Sequence, residues 1–214
     1  MAGKVKTRDR ILETALALFN EEGEAQVSTV DIAGVMEISP GNLYYHFRGK
    51  EAIIEALFDN FEEEMRLVLT APINRPLAIE DNWVFVYIVF EEINDFRFFY
   101  YALSSILERC PDLRPRMTRL LKLKQETANA VLKTLEKEKL VAFGKGEREA
   151  LAMRLAAHLT FWLQYRGLTA PSNDERAHIN SGVYATMMQI TPYVRENRET
   201  YAAMLAEYFS SLDK

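Results

Sequence analysis

Apolar residues recur along this chain at three- and four-residue intervals, and no stretch alternates as a half-buried strand would. Ile11, Ala15, Leu18 and Phe19 form the first stripe and predict a helix over about 7–22. Ile53, Ile54, Leu57, Phe58, Phe61 and Met65 predict a longer one from about Lys50 to Leu69. Further helices are expected at 77–93, 96–108, 112–140, 147–168, 173–190 and 197–212. Breaks separate them at Ala71-Pro-Ile-Asn-Arg-Pro76, Asn94-Asp95, Cys110-Pro111, Gly144-Lys-Gly146, Ala170-Pro171 and near Pro192. The pattern is all-α, and the first break divides it into a domain of residues 1–70 and a domain of residues 71–214. There is no internal repeat and no low-complexity tract.

A tighter pattern lies between the first helix and the long one. Ser28-Thr-Val-Asp31 has the form of a capping box, with Asp in place of the usual Glu. It opens a helix carrying Ile32, Ala33, Val35 and Met36, followed by a short turn at Glu37-Ile38. Ser39 can then accept a free amide at the next helix start. Pro40 suits the first helical position, where its missing N–H costs nothing. Gly41 lets a backbone or a ligand come close. Leu43 and Phe47, four apart, share one face and can anchor that helix, leaving Asn42, Tyr44, Tyr45 and His46 to point elsewhere. Two short helices joined in this way make a helix-turn-helix, with the second placed to enter a major groove.

These residues resemble the DNA-binding domain of the TetR family of bacterial regulators over about residues 7–58. The matching segments are Ile11-Leu12-Glu13-Thr14-Ala15 with Phe19 and Gly23, Ser28-Thr29-Val30-Asp31-Ile32-Ala33, and Gly41-Asn42-Leu43-Tyr44-Tyr45-His46-Phe47 with Lys50-Glu51. Two positions depart from the family pattern. Glu37 stands where a turn Gly is common and is expected to strain the turn mildly. Glu24 stands where an aromatic is common and is expected to remove a packing contact. Past about residue 60 the resemblance is architectural.

The resemblance implies a reading domain followed by a larger helical domain for ligand binding and dimerisation. It also implies a transcriptional repressor, released from a near-palindromic operator by a small apolar or aromatic inducer. An unswitched architectural or cell-division factor of the same family is the alternative. By resemblance Pro40, Gly41, Asn42 and Tyr44 would face the bases, with Ser39 beside them at the helix start. Asn42 could pair with an adenine edge, while Pro40 and Tyr44 touch thymine methyls. Thr29, Tyr45, His46 and Lys50 would hold phosphates, and Lys4, Lys6 and Arg8 would form a basic arm.

Charge qualifies this picture. The chain has 214 residues and a net charge of −5, so no general attraction to nucleic acid is written into it. Residues 1–70 hold seven Lys/Arg against thirteen Asp/Glu. The acids gather at Glu21, Glu22 and Glu24 and at Glu62-Glu63-Glu64, whereas residues 38–50 carry Arg48 and Lys50 and no acid. A small basic reading face on an acidic molecule is expected, one that relies on specific contacts. The single cysteine, Cys110, rules out an internal disulfide framework and fits a reducing cytoplasm. No apolar run approaches the roughly 18 residues of a membrane span, and no secretory leader is expected. Three histidines, no Gly-rich phosphate loop and no Cys/His metal spacing argue against an enzyme, a metal site or a cofactor.

The remaining patterns concern the second domain. Residues 83–101 contain nine of the 24 aromatics, among them Trp83, Tyr87, Phe90 and Phe99. A core position is the simpler reading for most of them; the functional reading is the wall of a ligand pocket. Arg154, His158 and Trp162 follow at helical spacing as possible polar anchors, a buried Arg needing an anionic partner and His158 being equally a hydrogen-bonded core residue. Arg114, Arg116, Arg119, Lys122 and Lys124 read as a solvated face opposite Leu113, Met117, Leu120 and Leu121. The last two helices carry more apolar residues than one buried face needs. Tyr184, Met187, Met188, Tyr201, Leu205 and Tyr208 are the candidates for a homodimer interface.

Overall fold

The computed structural model describes residues 6–71, 81–169, 174–195 and 198–212; Lys4, most of the 71–76 break and the 170–171 break lie outside them. The helices are α1 (Thr7–Leu18), α2 (Thr29–Val35), α3 (Pro40–His46), α4 (Lys50–Thr70), α5 (Asp81–Asp95), α6 (Arg97–Tyr101), α7 (Leu103–Arg109), α8 (Leu113–Lys137), α9 (Glu147–Thr169), α10 (Glu175–Ile190) and α11 (Arg198–Leu212). Among the described residues there is no strand, only an isolated antiparallel bridge between Val141 and Val194.

Two of the expected helices differ in detail. The first changes winding after Leu18: a π turn over Phe19–Gly23 and a 3-10 turn over Glu24–Gln26 continue it. The 96–108 segment is two short helices, broken at Ala102, whose φ of −110° and ψ of 18° are not helical.

The chain also divides differently from the expected cut at residue 71. One compact unit comprises residues up to Glu64 together with Asp95–Met117; the other comprises Met65–Asn94 together with Thr118–Lys214. The aromatic run explains why, because its second half packs with the N-terminal helices. Phe98 meets Phe19 at 5.3 Å between ring centroids, Phe99 meets Phe58 at 5.4 Å edge-on, and Phe96 meets Phe61 at 5.4 Å. These tilted and edge-on rings are the favourable aromatic geometries. Asn20 secures the same segment: its side-chain oxygen accepts from the Phe98 amide at 3.1 Å and its amide donates to the Asp95 carbonyl at 2.7 Å. Arg116 pairs with Glu62 and Asp59 and covers the Phe58 ring at 4.9 Å, so it is not a solvated cation. Cys110 ends α7, its amide donating to the Ile106 carbonyl at 2.8 Å; burial, with Glu55 and Glu51 nearby, pushes its thiol pKa up.

The second unit is built around α9, α10 and α11. Val183 and Met187 of α10 are wholly buried. Gly182 permits the closest approach, since an added Cβ would stand 2.6 Å from the Phe90 ring and 2.8 Å from Trp162 Nε1. Arg114, Arg119 and Lys122 are exposed as the solvated-face expectation has it, but Lys124 departs from it: it is 1% exposed.

Candidate nucleic-acid interface and ligand cavity

The reading face begins with two well-made helix starts. Ser28 and Asp31 complete the capping box: the Ser28 amide donates to Asp31 Oδ2 at 2.8 Å and the Asp31 amide donates to Ser28 Oγ at 3.3 Å. The hydrogen bonds from Ser28 hold the Asp31 carboxyl below its ordinary pKa. Asp therefore closes the box although its side chain is shorter than the usual Glu. At the end of α2 the Ile38 amide donates to the Ala33 carbonyl at 3.0 Å and the Glu37 amide to the Gly34 carbonyl at 3.1 Å. This is a Schellman cap, and it puts Glu37 at φ 55°, the left-handed region that favours Gly. The expected strain is thus located at one residue.

Ser39 then accepts from the Asn42 amide at 3.2 Å, with Pro40 at the helix start. Leu43 and Phe47 are buried and fasten α3 to the unit, and Arg8 of α1 lies over the Phe47 ring at 5.0 Å. Arg8 belongs to a helix and not to a loose arm. With the inner face fixed, Ser39, Pro40, Gly41 and Asn42 are exposed, as are Tyr44 at 59% and Tyr45 at 84%. His46 and Thr29 are half-buried, and the His46 ring meets Tyr45 edge-on at 5.3 Å. Val30 and Val35 of α2 are exposed on the same domain, two apolar residues the sequence reading assigned no surface role.

Lys50 does not stand where a phosphate ligand would be offered. Its ammonium donates to the Glu24 carbonyl at 2.9 Å and the Val27 carbonyl at 3.1 Å, and pairs with Glu24 Oε1 at 3.0 Å. Glu24, 3% exposed, also pairs with Arg109. Burial alone would raise the Glu24 carboxyl pKa, but hydrogen bonds from Arg109 and Lys50 outweigh it and leave the pKa lowered. The position expected to lose a packing contact instead holds a three-residue ion cluster.

The proposed ligand residues separate. Phe99 belongs to the first unit's core, with Phe58 and Phe61. Phe90, His158 and Trp162 do come together: His158 lies 6.4 Å from Phe90 and 4.7 Å from Trp162 between ring centroids. Yet they close on Gly182 as packing. His158 Nε2 faces the Gly182 carbonyl at 3.4 Å and Trp162 Nε1 donates to the His178 carbonyl at 3.3 Å. Burial lowers the His158 pKa, only partly offset by that carbonyl. Trp83 and Tyr87 are half-buried, and Arg154 is exposed, donating to Tyr193 Oη at 3.1 Å, so it is not a buried anchor.

The second unit's apolar cavity lies elsewhere, about 50 Å³, with Phe85, Val86 and Val89 of α5, Leu155 and Leu159 of α9, Ile190 of α10 and Lys124 of α8 on its wall. A larger open cleft of about 610 Å³ in the first unit is lined by Arg8, Asp9, Glu13, Glu64, Asp95 and Arg97 together with Leu12, Leu16, Leu57 and Phe96.

The dimer candidates divide as well. Met187, Tyr201 and Leu205 are buried within the chain, Tyr184 and Met188 are half-buried, and the Tyr208 side chain lies outside the described residues. An exposed apolar stripe lies on α9: Met153, Phe161, Tyr165 and Leu168, the last 86% exposed. The sequence reading placed this helix at the ligand, and its four-residue spacing was the signal for a second outer face.

Family models match nearly the whole chain: one described as "Bacterial regulatory proteins, tetR family" over residues 11–57, and one described as "Bacterial transcriptional repressor" over residues 60–201. A crystal structure of a TetR-family transcriptional regulator from Marinobacter aquaeolei is 30% identical, covers 95% of this chain and 99% of that one, and superposes with a TM-score of 0.85. The chain belongs to the TetR family of bacterial transcriptional regulators. The chain is also similar to the HTH-type transcriptional regulator UidR of Escherichia coli K12, 40% identical over 67 residues, and to the probable HTH-type transcriptional regulator YttP of Bacillus subtilis, 37% identical over 60. Those alignments span 34% and 29% of the relatives' own lengths, and 31% and 28% of this chain. No helix among the described residues is long and apolar enough to cross a membrane.

Proposed function

We propose that this chain represses transcription as a cytoplasmic homodimer, reading a near-palindromic operator through α3 and leaving it when a small apolar ligand enters the second unit. It acts by binding, with no turnover of its own. The observation that carries the reading is the outer face of α3: a capped helix, pinned from behind by Leu43 and Phe47, presents Pro40, Gly41, Asn42, Tyr44 and Tyr45 to solvent. In this reading Pro40, Gly41, Asn42 and Tyr44 face base edges, Thr29, Tyr45 and His46 hold phosphates, and Lys50 stabilises the loop behind them. The net charge of −5 gives little non-specific attraction, so affinity rests on these contacts. The dimer face comprises the α9 stripe with Tyr184 and Met188 of α10. A Phe161→Asp, Leu168→Glu variant then sediments as a monomer, and an unchanged dimer mass would remove that face.

The test of the reading is operator selection from a random duplex pool. The wild type enriches a near-palindrome whose half-sites lie about 34–36 Å, or a multiple of that, apart. Asn42→Ala relaxes one base position by about 1–3 kcal/mol. Gly41→Ala folds normally, because an added Cβ meets nothing closer than Ser39 Oγ at 3.9 Å, so any loss of DNA affinity reports closeness to the duplex. No enrichment, or equal loss on every sequence for Asn42→Ala, overturns the assignment. One observation favours an unswitched DNA-binding factor: the apolar cavity of about 50 Å³ is far below the roughly 300 Å³ of ordinary ligand pockets. Operator affinity that no member of a ligand panel changes would decide for it.

A further inference from the structure

We infer that Arg48, and not Lys50, is the phosphate anchor at the end of the reading helix. The inference rests on the reading of DNA through α3 and adds a contact residue to it.

Lys50 has no proton left to offer. An ammonium donates three hydrogen bonds. Lys50 Nζ meets the Glu24 carbonyl at 2.9 Å, the Val27 carbonyl at 3.1 Å and Glu24 Oε1 at 3.0 Å. A phosphate would have to displace one of these acceptors. Displacing the Glu24 carboxylate, on a residue only 3% exposed, would leave Arg109 as its remaining cation. Displacing a carbonyl would leave a part-buried acceptor unpaired. Either loss offsets what one phosphate contact returns.

Arg48 is in the opposite condition. It is exposed and forms no hydrogen bond or ion pair with another described residue. Exposed arginines are common, so its place decides. α3 ends at His46, and Phe47 follows in extended backbone, at φ −138° and ψ 119°, with its ring buried. Successive side chains of extended backbone point to opposite sides, so Arg48 leaves toward solvent two residues beyond His46. Gly49, at φ 122°, then turns the chain into α4. Residues 38–50 contain no acid to draw the guanidinium aside, and Glu51, the next acid along the chain, lies 3.5 Å from Arg109. A second guanidinium, that of Arg8, lies over the neighbouring Phe47 ring at 5.0 Å. A planar guanidinium grips a phosphate with two parallel N–H bonds, where an ammonium makes a point contact. Because it holds the backbone and not the bases, Arg48 sets how α3 lies in the groove without choosing the sequence.

The test uses the full-length protein and the operator it selects. Dissociation constants are measured by fluorescence anisotropy between about 50 and 200 mM potassium chloride. Arg48→Met weakens binding about 10- to 100-fold, by the same factor on the operator and on its single-base variants. It also makes the slope of log K against log salt shallower by about 0.9, the loss of one phosphate contact. Arg48→Lys keeps the wild-type slope. Lys50→Met lowers the urea midpoint and keeps the wild-type slope. A wild-type slope in Arg48→Met overturns the proposal. So does a Lys50→Met slope shallower by about 0.9, which would mean that Lys50 leaves Glu24 for the duplex. Should Lys50→Met fail to fold, the Arg48→Met slope decides alone; that variant replaces an exposed side chain with no partner among the described residues and should fold as the wild type does. If the wild type selects no duplex, the reading-face assignment itself falls and takes this proposal with it. A selected operator with an unchanged Arg48→Met slope brings down Arg48 alone.

Discussion

Glu24 and Lys124 both carry charges into the interior, and their surroundings differ. Glu24 lies in the first unit against two cations, Lys50 and Arg109, and accepts hydrogen bonds from both. Its charge is compensated locally and its task is mechanical: it ties the loop after α1 to the start of α4 and the end of α7. Lys124 lies buried on α8 in the second unit, and desolvation by burial lowers its pKa to about 7. One buried charge is held in its ionised form; the other is held close to the midpoint of its titration. The difference teaches that burial by itself does not set ionisation: hydrogen bonds from cations outweigh it at Glu24, whereas at Lys124 desolvation draws the amine toward neutrality.

Breaking the Glu24 cluster should give the largest effect. Glu24→Ala is expected to destabilise by about 2–4 kcal/mol, somewhat below a fully dry pair because Lys50 and Arg109 keep part of their surface in water. The loss is measured by urea unfolding. Because the folded carboxyl pKa is lowered, its stabilising contribution is present at neutral pH and fades as pH falls through the carboxylate range. Glu24→Gln should flatten that acid limb, and an unchanged limb would show that the cluster is not the source.

The counterpart for Lys124 has the opposite pH sense. The unfolded lysine binds its proton up to about pH 10.4, and the folded one releases it near 7. Between those values the unfolded state carries more protons, so stability rises with pH, by about 2 kcal/mol from pH 7 to 9. Lys124→Met should abolish the rise and be at least as stable as the wild type at pH 7. A wild type whose urea midpoint is flat over this interval would mean that the folded amine keeps a pKa close to its unfolded value. The smallest expected effect is at Glu37, in the left-handed region at φ 55°. Glu37→Gly should stabilise by about 0.5–1 kcal/mol, read as a rise in melting temperature with operator preference unchanged.

The helix order and the reading helix were legible because they rest on local signals: caps, a proline at a helix start, and apolar residues at helical spacing. Ser28 and Asp31, Ser39 with Pro40, and Leu43 with Phe47 needed only their neighbours along the chain. What could not be read locally was which partner each apolar face would find. Phe90 and Phe99 look alike in the sequence, yet one packs with His158 and the other with Phe58. The apolar residues of α10 and α11 exceed one face because those helices cover each other, which hid the outward stripe of α9. Lys124 was misread because it ends a run of cations. Its register with Leu113, Met117 and Leu120 was the clue, and charge obscured it. Lys50 was assigned from resemblance, but an acid at position 24 drew its ammonium inward.

Cys110 turns the first unit into its own reporter. A thiol buried and protonated at neutral pH reacts with a maleimide or a disulfide reagent only in the moments when the end of α7 opens. The labelling rate of this single sulfur is then a clock for local opening, readable by mass spectrometry without any engineered probe. Run on the bare protein and on the protein bound to its operator, the same clock measures how far the duplex quiets the unit that grips it.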